Sequence, residues 1–123
     1  MATPGYLRLP IEPAEGFPQA FRLQLGSVVY QFHLYVNVAE DLLATAPGDA
    51  VLDLPAAGAF VVLRVAREEA SGPRTILRRK LVPGVEYRAA ELSLTFPTMR
   101  VARRNLNGVG EFGSEMVGGV AFG

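Results

Sequence analysis

The chain holds one histidine, His33, and no cysteine. Thiolate nucleophiles, zinc–thiolate sites, iron–sulfur clusters and disulfides are therefore excluded, and a Ser–His–Asp triad would have to be built on His33. The serines are Ser27, Ser71, Ser93 and Ser114, and none lies in a Gly-x-Ser-x-Gly elbow. His33 falls between Gln31 and Tyr35 on the face opposite Phe32 and Leu34, which reads as a surface or inter-subunit histidine rather than a base. The acidic pairs Glu40-Asp41 and Glu68-Glu69 read as solvated residues at a helix start and in a hairpin loop. No Asp-x-Asp-x-Asp-Gly spacing offers a calcium loop. Gly108-Val-Gly-Glu-Phe-Gly113 has the spacing of a dinucleotide fingerprint, yet that motif needs a preceding strand, a following helix and an acid about 20 residues on. Ten residues follow it here. The reading is no enzyme, no cofactor and no metal.

The basic residues carry more information. The chain has 12 basic and 12 acidic residues and no net charge, which removes the simplest argument for nucleic acid or an anionic membrane as partner. The neutrality conceals an uneven distribution: residues 1–63 sum to −4, residues 64–104 to +6 and residues 105–123 to −2. Either the acidic and basic segments pair within one fold, or a basic surface meets an acidic neighbour, complementary potentials setting the register. All the basic residues except Lys80 are arginine, the cation suited to planar, bidentate contacts. The candidate subunit interface is Arg78, Arg79, Lys80, Arg100, Arg103 and Arg104, with Phe112 and Phe122 from the C-terminal segment. Aromatic interleaving for base stacking is thin, with Tyr87 and Phe96 the only aromatics from Arg64 to Arg104. Nucleic acid is not the expected partner.

The elements that must position these residues read as mainly β. With 123 residues, half of them hydrophobic, the chain is one domain's worth. Its 13 glycines and 9 prolines favour short strands joined by turns. No apolar run approaches a membrane span, and a protein made in the cytoplasm that stays soluble or joins a particle is expected.

A Pro-rich segment, 1–19, should run extended over a surface, with a short edge strand at Tyr6–Leu9. Ala20–Leu25 and Val28–Val36 alternate with period two across Gly26-Ser27, the strongest hairpin signal in the chain. Asn37–Ala46 reads as a short helix capped by Asn37, with Glu40 in the first turn and Pro47-Gly48 as the stop. Ala50–Leu54 adds a short strand. Ala59–Ala66, nearly all apolar and β-branched, reads as a central strand covered on both faces. A loop at Glu68–Arg74 leads to a strand at Thr75–Leu81 and a turn at Pro83-Gly84. Leu92–Phe96 reads as the last strand. The β domain spans 20–104, predicted as a small antiparallel barrel or sandwich of about six to eight strands with one short helix. Residues 105–123, with six glycines, form a tail that docks on its own domain or orders against another chain.

Two stretches also carry a family resemblance. The segment from Phe21 to Asn37 resembles the opening hairpin of the small baseplate plug family of contractile-tailed bacteriophages, with its Pro-rich lead, Phe-x-x-x-Leu-Gly turn and alternating strand ending near Tyr and Asn. Gly58–Val65 followed by Gly72–Gly84 is similar to that family's next hairpin, ending in Leu-Val-Pro-Gly. The resemblance covers roughly residues 15–84, with weaker support from Asn107–Gly110, while 38–57 looks like an insertion. It implies a non-enzymatic virion subunit, made in the host cytoplasm and placed at the distal end of the tail, packed against hub, tube or wedge proteins and helping to plug the lumen. The alternative is a small β-domain adaptor, or a connector assembly protein outside the baseplate.

Overall fold

The computed structural model describes residues 5–122; residues 1–4, including Pro4 of the Pro-rich lead, and Gly123 lie outside them. The strands are β1 (Leu7–Arg8), β2 (Gln19–Leu25), β3 (Val28–Val38), β4 (Val51–Asp53), β5 (Ala59–Glu69), β6 (Gly72–Lys80), β7 (Glu86–Ala89), β8 (Leu92–Ala102) and β9 (Glu115–Phe122), with one helix, α1 (Glu40–Thr45). They form two antiparallel sheets, which agrees with a small β sandwich. One is the meander β2-β3-β5-β6; the other runs β1-β9-β8-β4, with β7 also paired to β8.

The alternating residues decide which faces meet. Phe21 pairs with Phe32, their rings stacked 5.0 Å apart, and Phe32 pairs on its other side with Val65. Tyr30, Phe32, Leu34, Val61, Leu63 and Val65 of the meander face Leu92, Leu94, Phe96, Met99 and Val101 of β8, all of them buried. The hairpin turn falls at Gly26-Ser27 as expected, with Gly26 at φ 64°, a conformation that suits a residue without a Cβ.

Several expectations change. The Pro-rich lead does not merely run over a surface: Leu9, Ile11 and Phe17 enter the core, and Pro13–Glu15 forms a 3-10 turn. Three large apolar side chains set between prolines gain more from burial than from exposure. Asn37 does not cap the helix. It lies within β3, paired with Phe60, and Ala39 occupies the N-cap position without a side-chain bond. The β3–β5 ladder runs on through Val38–Ala59, so the pairing competes successfully with a local cap. Glu68 and Glu69 belong to β5 rather than to a loop, paired with Pro73 and Gly72. β5 is central, but the second sheet covers one face of it; on the other, Ala66 and Val62 are shielded by neighbouring side chains, and the Lys80 ammonium lies 4.9 Å from the Phe60 ring centroid.

β8 runs well past Phe96 because Pro97, which has no N–H to donate, sits at a bulge between Thr95 and Thr98. Strand β7, which sequence reading missed, alternates buried Tyr87 and Ala89 with exposed Glu86 and Arg88.

The Gly-rich segment docks on its own domain, the first of the two options. β9 lies between β1 and β8 in the middle of its sheet. Its glycines permit close approach: a Cβ on Gly118 would sit 2.6 Å from the Phe96 ring, and one on Gly119 2.9 Å from the Tyr6 Cβ. Buried Asn105 organises the preceding loop. Its amide donates to the carbonyls of Gly108 (3.1 Å) and Gly110 (3.0 Å), and its oxygen accepts from the Ser114 hydroxyl at 2.7 Å.

Candidate assembly surface

β6 forms the surface of interest because, among the described residues, it pairs on one side only, with β5. Along an edge strand, alternate N–H and C=O groups point away from the sheet and are available to another chain. The sequence places Arg74, Arg78, Arg79 and Lys80 on this edge, all exposed. Period-two alternation then sorts them. Arg78 and Lys80 share the outer face, opposite Arg64 and Val62; Arg79 lies between them on the inner side, opposite Leu63. The Arg79 guanidinium closes the flank of the sandwich, 5.9 Å from the Tyr87 ring centroid. The Tyr87 hydroxyl fixes the following turn, accepting from the Val82 N–H (2.7 Å) and donating to the Lys80 carbonyl (3.1 Å).

On the outer face, Ala20, His33, Arg64 and Arg78 form one row across β2, β3, β5 and β6. Arg64 donates from Nε to the Thr75 hydroxyl at 3.0 Å. Among the described residues no acid pairs with Arg64 or Arg78. An open groove of about 390 Å³ lies over this row, lined chiefly by Pro18, Gln19, His33, Tyr35, Arg64 and Arg78. His33 is half-buried there, on the face where sequence placed it.

Both acids of this sheet are engaged away from the Arg64–Arg78 pair, Glu69 accepting from Arg67 at 3.1 Å. Glu68 accepts two bonds from Arg22, at 2.7 and 2.8 Å, and one from Gln31 at 3.0 Å. The Arg22 guanidinium, helped by Gln31, holds the Glu68 carboxyl down at about 2. Glu91, in the β7–β8 turn, reaches across to the other sheet, accepting from the Tyr30 hydroxyl and from Arg67. Those bonds keep its carboxyl below the usual range, and burial followed by Glu91 pushes the Tyr30 hydroxyl up. Sequence reading missed Glu91 because its role depends on the turn, where Ala90 takes φ 53°; nothing in the neighbouring residue types announces it.

The remaining candidates lie apart from β6. Arg100, on β8, is salt-bridged to Asp53 of β4 at 3.1 Å, and this exposed contact joins the acidic first half to the basic stretch. Arg103 follows β8 in a 3-10 turn and donates to the Leu43 carbonyl of α1, while its Nε is buried with no hydrogen-bond partner among the described residues. Arg104 stacks on Phe112, 5.5 Å from the ring centroid. Phe112 is exposed in the loop before β9, and Phe122 is exposed at the strand's end. The structure thus brings Arg78, Arg79 and Lys80 together on one edge, and engages Arg100, Arg103 and Arg104 within the chain.

Among the described residues no group of three or more His, Asp or Glu could hold a metal ion, and no helix is long and apolar enough to cross a membrane. No protein-family model, curated protein or solved structure matches this chain.

Proposed function

We propose that this chain is a non-catalytic assembly subunit of a contractile phage tail, packing at the baseplate against hub, tube or wedge proteins and helping to close the distal tube. The observation that carries the assembly reading is the open β6 edge, whose outer-face cations have no acidic partner within the described chain. Uncompensated charge along unpaired backbone suits a contact completed by a neighbour. The tail setting rests on the resemblance of residues 15–84 to the plug family. The test is co-expression with the products of the adjacent genes. Elution in one complex with a tail tube, hub or wedge protein is the expected result. A chain that stays monomeric in the presence of every neighbouring product overturns the reading.

A further inference from the structure

We infer that the β6 edge receives an extended segment of another protein that carries acidic residues at alternate positions, added to the meander as a fifth strand. The inference rests on the assembly reading above and names the partner's chemistry. An added strand would lie about 4.8 Å from β6, its side chains in register with the existing rows. On the outer face its residues would stand opposite Arg78 and Lys80, which are two apart. Arg64, one strand further in, adds its charge to the same row. Acids two apart in the incoming strand therefore meet two cations directly, and opposite charges across a strand pair are favourable where like charges are not.

A second copy of this chain does not fit. β6 against β6 sets arginines and lysine against their own kind, a recognised defence of edges. No other segment offers the pattern, because no two of the chain's 12 acidic residues are two apart. The bulge that leaves Ile76 without a partner between Thr75 and Leu77, and Pro73 at the start of the strand, confine regular pairing to Leu77–Lys80, where the Lys80 carbonyl already accepts one bond from the Tyr87 hydroxyl. Backbone bonds would supply affinity and the Arg78/Lys80 pair would set register and sign.

The experiment is NMR titration of the labelled full chain with a blocked heptapeptide of alternating valine and glutamate, alongside its lysine counterpart and a form N-methylated on one edge. The expected result is perturbation of the Leu77–Lys80 amides by the glutamate peptide, at an affinity at least about tenfold above the lysine peptide. That preference should reverse in Arg78→Glu/Lys80→Glu. Arg78→Thr/Lys80→Thr, which adds no new charge and leaves Arg64 in the row, should lose most of the preference for the glutamate peptide without reversing it. Equal binding of both peptides to the wild-type chain, undiminished binding of the N-methylated form, or tighter binding of a single-stranded oligonucleotide at the same amides each overturns the inference. So does the absence of any peptide binding, and if the chain still co-elutes with a tail protein the assembly reading stands without it.

Discussion

Arg64 and Arg78 stand directly opposite each other on adjacent antiparallel strands, with no acid paired to either among the described residues. A like-charged cross-strand pair opposes folding, and its position on an open edge ties that opposition to binding. Arg78→Thr should raise stability at low ionic strength by about 0.2–1 kcal/mol. Urea denaturation at low and high salt checks this: the gain should shrink as salt screens the pair. Loss of stability in the variant at both salt concentrations would sink the idea.

Gly118 is a packing requirement of the central strand β9. Its missing Cβ leaves room for the Phe96 ring and for Ile11 Cδ1, 2.6 and 3.1 Å from where that atom would lie. Because β9 is paired on both sides it has little freedom to retreat. Gly118→Ala should destabilise the chain by about 1–3 kcal/mol, the usual range for overpacking. Adding Phe96→Leu should recover part of the loss. Thermal melts of the single and double variants decide it, and an unchanged melting temperature in Gly118→Ala would contradict the packing.

Asn105 holds the loop between β8 and β9 from within. Asn105→Ala leaves two half-buried carbonyls and the half-buried Ser114 hydroxyl short of a partner, at a total loss of about 1–3 kcal/mol. The same loop is tied to the lead, where the Gly110 N–H donates to the Ala14 carbonyl at 2.7 Å. Hydrogen exchange should accelerate from Gly108 to Ser114 in the variant. Unaltered protection of Gly110 would show that the loop does not depend on Asn105.

Glu68 gives the fold an acid-sensitive contact. Its carboxyl falls from 4.5 to about 2 in the folded chain, so its stabilising contribution is fully present above about pH 4.5 and lost as the pH drops toward 2. Glu68→Gln lacks this titration. The stability difference between wild type and Glu68→Gln should therefore shrink as pH falls through that window, and denaturant titrations at pH 6, 4 and 2.5 read it. A difference independent of pH would rule out the Arg22–Glu68 contact as its source.

The meander was legible because its side chains alternate without interruption. Phe21, Leu23 and Leu25, then Tyr30, Phe32 and Leu34, alternate across a Gly turn, and local chemistry of that kind settles both pairing and face. The prolines of the lead, the glycines of the C-terminal segment and the turn residues around Glu91 were not legible in the same way. Gly118 looks like a flexible residue until the Phe96 ring lies against it, and Asn37 looks like a helix cap until β5 pairs with it. For the candidate surface, the run Arg78-Arg79-Lys80 could be read directly, but its division between two faces and its place on an open edge could not.

By itself the amino-acid sequence determined a cysteine-free, mainly β chain with one histidine on a strand and an arginine-rich second half, since composition and period-two alternation are local properties. Only the tertiary structure decided that Glu115–Phe122 fills the middle of a sheet, that Arg100, Arg103 and Arg104 are engaged within the chain, and that Arg78 and Lys80 stand on an unpaired edge. The reason is that a strand's neighbours, and so which charges are met and which are left, come from pairings between residues far apart in the chain, where side-chain volume and unsatisfied backbone outweigh local preference.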